Sequence, residues 1–354
     1  MSRFLSAKHA SLAPYTPGEQ PRDMQYIKLN TNENPFPPSP RAQQYAAEAL
    51  KKLQLYSDPE CTLLKEKLAA LCGVDKDEVL PTNGSDEILN FAFMAFGDQD
   101  HPALFPDITY GFYPVFAQLS GIPYREIPLK EDFIIDLTEY DGHEGLIVIA
   151  NPNAPTGIAI PRDEMEAFIR RNPQAVIVVD EAYVDFGGES CVPLIHQYDN
   201  LLVTQTFSKS RSMAGARLGF GVGCKALIAD LNAIKYATNP YNVNAMTMAA
   251  GVGVLEDEDY TRQNCRTIIE TREWTAQALR ECGFEVLPSR TNFLFVRHPA
   301  LDGAATYQHL RQKGVLVRYF AKPRLSDFLR ITIGTQEQMQ AVVQALREEV
   351  EAYA

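Results

Sequence analysis

Three short apolar runs stand out in the middle of the chain: Leu146–Ala150, Ala175–Val179 and Leu201–Thr204. Each is strand-length, rich in Val and Ile, and apolar at consecutive positions instead of alternate ones. Such runs predict strands buried on both faces, as in a parallel sheet covered by helices. Pro161 predicts the start of a helix between the first two. Leu218–Val222 reads as a further strand, although its glycines weaken the pattern. Upstream, Ser57-Asp58-Pro59 predicts a helix start, with a capping side chain and a proline in the first turn. Leu64, Leu68 and Leu71 share one face of that helix, and Gly73 closes it. A second helix is predicted from Gly84-Ser85-Asp86 to about Gly97.

The texture changes past residue 245. A long, polar-rich helix is predicted over Asp257–Cys282, followed by strands Phe284–Leu287, Phe293–Arg297, Val315–Tyr319 and Leu329–Ile333. A helix lies between the second and third of these. A last helix is capped by Thr335, with Gln338 three residues on, in a capping-box pattern. Residues 1–40 are polar and proline-rich, and Asn32–Pro40 (NENPFPPSP) predicts irregular structure. The pattern as a whole predicts an α/β protein in three parts. Residues 1–40 form an arm that completes a smaller unit or contacts a partner subunit. Residues 41–245 form a large domain on a mostly parallel sheet, and residues 246–354 a smaller α/β domain.

Composition narrows the function classes. The chain has 354 residues and a net charge of −12. An acidic surface lacks the phosphate-neutralising charge that general nucleic-acid binding needs. No run approaches the roughly 20 apolar residues of a membrane-spanning helix, and the N-terminus has no signal-peptide core. The six cysteines are scattered without a C-x-x-C pair, which predicts reduced thiols in a cytoplasmic protein. The six histidines show no H-x-x-x-H or H-E-x-x-H spacing, so no zinc site is expected.

Three segments carry candidate chemistry. In TFSKSRSMAGARLGF (Thr206–Phe220), Lys209 follows a buried strand, and Arg217 comes eight residues later. The C-terminal edge of an open α/β sheet is where such folds place ligands, and a lysine there can form a Schiff base with an aldehyde cofactor. An isolated lysine is otherwise a solvated surface charge. In VIVVDEAYVDF (Val176–Phe186), Asp180 ends a strand at the same edge. A carboxylate there can pair with a protonated pyridine nitrogen, and Tyr183 can donate to the ring's phenolic oxygen. The plainer reading is a strand-ending Asp and a packed Tyr. In TNGSDEILNF (Thr82–Phe91), Gly84 opens a helix whose first-turn amides and dipole suit a phosphate. Simple capping by Ser85 or Asp86 explains the same residues.

Taken together with N-P-N-A-P-T-G (Asn151–Gly157), these motifs resemble the fold-type-I, pyridoxal 5′-phosphate-dependent aminotransferases over nearly the whole chain. LAPYTPG, LNTNENPF, LYSDPE, PYNVN and FLRITIGT make the chain similar, more narrowly, to the histidinol-phosphate aminotransferase family of histidine biosynthesis. The resemblance implies that Lys209 is the Schiff-base lysine, that Asp180 holds the pyridine nitrogen, and that Tyr183 holds the ring oxygen. It implies phosphate contacts from Gly84, Ser85, Asp86 through backbone amides, Ser208 and Arg217. Tyr110 is expected to stack on the ring, and Tyr56 to reach the site of the neighbouring subunit in a homodimer. Arg330 is expected to grip the anionic end of the substrate, with Tyr15, Arg318 and Asn292 beside it. The substrates implied are an amino donor, L-histidinol phosphate, and a 2-oxo acid, 2-oxoglutarate. Aromatic-amino-acid transamination and phosphothreonine-type decarboxylation are the alternatives on the same core; a regulator without turnover is more distant.

Two positions depart from the family pattern. The second Asn of the usual N-N-P-T-G is Ala154 here, so Asn153 is expected to take over its contact with the ring oxygen. Ser210–Ser212 replaces the more usual A-F-x after the lysine. A nucleotide-binding oxidoreductase, suggested by G-x-G-x-G at Gly219–Gly223, lacks the spacing of the full fingerprint.

Overall fold

The computed structural model describes residues 2–10 and 12–353. A short strand, β1 (Ile27–Lys28), precedes the main sheet. That sheet has seven strands: β2 (Val79–Thr82), β3 (Ala103–Pro106), β4 (Tyr124–Ile127), β5 (Leu146–Ala150), β6 (Val176–Asp180), β7 (Leu201–Thr206) and β8 (Gly219–Gly223). Their order across the sheet is β2-β8-β7-β6-β5-β3-β4. Only β8 runs antiparallel to its neighbours, so the sheet is mostly parallel, as expected.

The consecutive apolar residues of the central strands are explained by two cores, one on each face. Ile147, Ile149, Ile177 and Val179 pack with α2 (Thr62–Cys72), α5 (Arg162–Arg171) and α7 (Ala245–Leu255). The alternate positions Leu146, Val148 and Val178 pack with α3 (Ser85–Phe96), α4 (Tyr113–Ser120) and α6 (Lys225–Thr238). Each of these side chains contributes about 1.5–3 kcal/mol by leaving water.

The glycines of β8 are packing devices. A Cβ on Gly219 would lie 2.4 Å from the backbone nitrogen of Ser85, and one on Gly221 would meet the Ile88 side chain at 2.8 Å. They let α3 press against the sheet, which brings its first turn to the edge where β6 and β7 end. This accounts for G-x-G-x-G without a nucleotide.

A second sheet, of order β12-β13-β10-β9, is built from β9 (Glu285–Val286), β10 (Phe293–Arg297), β12 (Arg318–Tyr319) and β13 (Leu329–Thr332). It packs with α8 (Glu258–Glu281), α9 (Gly303–Gln312) and α10 (Gln336–Tyr353) in a third core. β1 pairs in parallel with β11 (Val315–Leu316), and Leu29 bridges onward by accepting from the backbone N–H of Thr332.

Two expectations shift. The helix expected from Ser57-Asp58-Pro59 starts at Thr62; Asp58 still caps it, accepting from the Thr62 N–H at 2.8 Å after an intervening turn. Val315–Tyr319 is two strands in different sheets, because the chain switches partner from β1 to β13 at Val317. In addition, α7 packs on α1 (Pro40–Leu50) and α2. The apolar face of α7 belongs to the main-sheet core, which its sequence position obscured.

Candidate active site

The ends of β2, β5, β6 and β7 meet at one edge of the main sheet, around a cavity of about 250 Å³. Asp180 is the last residue of β6. Thr206 ends β7, and the turn after it delivers Ser208 and Lys209. Ser85 starts the helix after β2. All five line the cavity, together with Asp86, Tyr110, Tyr183 and Arg217.

Lys209 Nζ lies 3.4 Å from the carbonyl oxygen of Thr31 and 5.8 Å from the centre of the Tyr183 ring. Its backbone is held from two directions. Asn34 Nδ2 donates to the carbonyls of Lys209 (2.9 Å) and Ser210 (3.2 Å). Asp185 accepts from the Ser210 hydroxyl and, at 3.0 Å, from Arg211. The unusual Ser210-Arg211 pair is therefore an anchor for the lysine turn.

Asp180 is buried. It accepts from the Tyr113 hydroxyl at 2.8 Å, from the Ala182 N–H at 3.3 Å and from Thr204 at 3.4 Å. No cation in the described residues pairs with it. Burial pushes its carboxyl up to about 6, against the lowering effect of the Tyr113 hydrogen bond.

At the other end, the Ser85 and Asp86 amides in the first turn of α3 have no acceptor among the described residues, and no side chain caps that turn. Gly84 stands at φ 83°, ψ 163°, a region only glycine occupies readily. A Cβ there would be 2.6 Å from Arg217 Nη2. Arg217 reaches Ser208 Oγ at 3.5 Å and pairs with Asp86 at 2.8 Å. Tyr110 also donates to Asp86, at 2.7 Å. Asp86 thus contributes a carboxylate as well as the amide expected of it.

Arg330 stands on β13 with its guanidinium 5.3 Å from the centre of the Phe293 ring and 5.6 Å from that of Phe320. Nη2 donates to the Asn30 carbonyl at 3.0 Å, and the buried Nε has no partner. No carboxylate in the described residues lies within ion-pair distance of it. Arg318 donates to the carbonyls of Thr16 and Pro17 at 3.3 Å each, which ties the N-terminal segment across this end. Tyr15 stacks on Phe112 at 4.4 Å, with Tyr110 6.1 Å away.

Two expected positions fall elsewhere. Asn153 does not face the cavity. Its side chain is used up by the Ile108 carbonyl, Thr109 and Thr156, and Ala154 lines the wall instead. Asn292 is fully enclosed and donates to the Asn32 carbonyl at 3.0 Å; it braces the site from behind. Tyr56, expected at the neighbouring subunit's site, is 84% exposed and stacks on Tyr241 at 4.6 Å, away from this cavity. Conversely, Asn32, Asn34, Tyr113 and Asp185 were missed, because only the fold brings them to Tyr183, Lys209 and Asp180. Asp185 lies within the DEAYVDF run already singled out, so that run held the signal.

This edge-of-sheet cavity, with a lysine, a buried carboxylate and an amide-lined anion corner, defines an aminotransferase fold and site. The family model for class I and II aminotransferases matches residues 24–346, and the chain belongs to that family. Its sequence is 49% identical over 348 residues to histidinol-phosphate aminotransferase 1 of Bradyrhizobium diazoefficiens, covering 98% of this chain and 99% of that one. It is 48% identical over 352 residues to the histidinol-phosphate aminotransferase of Acinetobacter baumannii, covering 98% of each. These full-length likenesses put the chain among the histidinol-phosphate aminotransferases. In fold, it is similar to the Sinorhizobium meliloti histidinol-phosphate aminotransferase solved with pyridoxal 5′-phosphate, at a TM-score of 0.89 and 23% identity, over 100% of this chain and 99% of that one. The fold is shared with L-threonine-O-3-phosphate decarboxylase of Porphyromonas gingivalis, at a TM-score of 0.79 and 23% identity, over 92% of this chain and 99% of that one. Among the described residues, no helix is long and apolar enough to cross a membrane.

Proposed function

We propose that this chain transfers an amino group from L-histidinol phosphate to 2-oxoglutarate, using pyridoxal 5′-phosphate, to give imidazole-acetol phosphate and L-glutamate. One observation carries the reading: a buried carboxylate without a cation, a lysine, and an unpaired amide corner share a single cavity. A phosphorylated pyridine aldehyde satisfies all three. Its ring nitrogen would answer Asp180, its aldehyde Lys209, and its phosphate the Ser85 and Asp86 amides with Ser208 and Arg217. Arg217 would then divide its fork between the phosphate and Asp86.

The bound cofactor supplies an electron-accepting ring that makes the substrate's α-proton labile. Lys209 would hold the cofactor through its side-chain nitrogen, and the incoming amino donor would release that amine. Freed, its amine would take the proton from the substrate α-carbon and give it back at the carbon on the far side of the transferred nitrogen, as a general base and then acid. Asp180, ionised, keeps the ring nitrogen protonated, and Tyr183 donates to the ring oxygen. Tyr110 covers the ring. Arg330 binds the donor's phosphate in one half-reaction and the acceptor's carboxylate in the other; a guanidinium fork fits both. Tyr15 closes that end from the N-terminal segment, which Arg318 of β12 ties down.

We further propose a homodimer in which Tyr56 reaches the partner's phosphate corner. The exposed Leu50, Leu53, Leu55 and Tyr56 support it, since an apolar cluster of this kind marks an interaction surface. The proposed division is a large unit through α7 and a smaller one from α8 onward, with residues 27–29 joining the latter.

The test is a panel of amino donors against the cofactor-loaded protein, read by bleaching of its visible absorption and by product. L-histidinol phosphate should bleach it fastest and yield a ketone. Faster bleaching by an aromatic amino acid, or release of carbon dioxide from phosphothreonine, would replace this substrate assignment.

A further inference from the structure

Tyr183 does not stand alone at the cavity wall. Its hydroxyl accepts a hydrogen bond from Nδ2 of Asn32 at 2.8 Å. Asn32 is enclosed, at 1% exposure, with its backbone in the left-handed region at φ 56°. The amide cannot turn over freely. Thr332 Oγ1 accepts from the Asn32 backbone N–H at 3.0 Å and gives its own single proton to Asn32 Oδ1 at 3.1 Å. With Oδ1 occupied, the NH₂ end is the one left to face the phenol. Asn292 secures the same residue through its carbonyl, at 3.0 Å.

A phenol that accepts from Asn32 still has its own proton to give. No acceptor among the described residues takes it, and Tyr183 lines the cavity. Asn153, turned toward Ile108 and Thr156, supplies no competing donor there. We infer that Asn32 is a positioning residue: by donating to Tyr183, it commits that hydroxyl to donate to the ring oxygen of the bound cofactor. The orientation is set from the second sheet, since Thr332 ends β13 and Asn292 directly precedes β10. The inference rests on the function proposed above.

The experiment is a spectral titration of the pyridoxal phosphate-loaded protein. A hydrogen bond donated to the ring oxygen weakens that oxygen's hold on the proton it shares with the Lys209 nitrogen. The pH midpoint of the visible band reports this proton, so losing the donor moves the midpoint up. Asn32→Gly keeps the left-handed backbone at no steric cost and removes only the amide. It should raise the midpoint by about half a pH unit, and produce no further shift in a Tyr183→Phe background. If Asn32→Gly does not fold, Thr332→Val, which unpins the amide, is held to the same criterion. An equal shift in both backgrounds, or none in either, overturns the role of Asn32 and leaves the Lys209 assignment standing. A wild-type protein that takes up the cofactor without any titrating band overturns both.

Discussion

Tyr113 donates its hydroxyl to Oδ2 of Asp180 across 2.8 Å, and both side chains are closed off from solvent. The bond softens the burial of a carboxylate without neutralising it, so Asp180 ionises only near pH 6 in the cofactor-free protein. A carboxyl raised on folding favours the folded state while protonated. That contribution is present below the unfolded value near 4 and is lost as pH rises through about 6.

Asp180→Asn removes the titration and keeps the shape. Cofactor-free variant and wild type should differ progressively in the variant's favour between about pH 4 and pH 6.5, by at most ~3 kcal/mol. Denaturant melts across that range measure it. A difference that does not change with pH contradicts an unpaired, buried Asp180. The neighbouring Glu181, raised to about 7 by burial, is common to both proteins and cancels to first order.

Lys209→Ala should fold and abolish transamination. Borohydride reduction of the loaded wild type, followed by peptide mapping, should place the label within Thr206–Arg211. Near wild-type turnover by the alanine variant would falsify the role given to this lysine.

Gly84→Ala should weaken cofactor binding about tenfold or more. The methyl would stand 2.6 Å from Arg217 Nη2 and occupy a backbone region that costs about 1–3 kcal/mol for any other residue. Equilibrium binding of pyridoxal phosphate gives the number. Unchanged affinity would mean that the corner between Gly84 and Arg217 holds no phosphate.

Tyr56→Ala leaves no hole in the chain's own core, since the side chain is 84% exposed. Its loss should show in cofactor affinity, and the mixing test is run at a cofactor concentration too low to load the Tyr56→Ala homodimer. Random mixing of Tyr56→Ala with Lys209→Ala subunits makes half the dimers mixed, and each mixed dimer has one site with both groups intact. Activity should rise to about a quarter of wild type. A mixture as inactive as its parents argues that Tyr56 serves its own subunit.

Legibility followed the range of the interactions. β5, β6 and β7 could be read because being covered on both faces leaves a mark at every consecutive position. Lys209, Asp180 and Arg217 could be read because each sits at a fixed offset from a strand end. What escaped were contacts between segments far apart in sequence. Tyr113 looks like one more helical aromatic until α4 is laid over β6. Asn153 was expected at the ring because the family's N-N-P-T-G pattern has Ala154 at its second Asn here, yet its amide satisfies the backbone of Ile108, a bond no motif contains. Asn292 was expected at the wall and lies behind it. Asn32 sits in a stretch with no periodicity at all, and its partner at Tyr183 is decided by tertiary pairing alone.

The pairing of Ile27 with Val315 also dictates an order of events during synthesis on the ribosome. The residues of β1 must wait, without this partner, while all seven strands of the main sheet are synthesised. Only when β11 and β13 emerge can they be sewn in. Contacts so distant along the chain are slow to form, and Asn32, three residues past Leu29, travels with them. A nascent chain can therefore have a finished central sheet before the phenol beside its lysine is aimed.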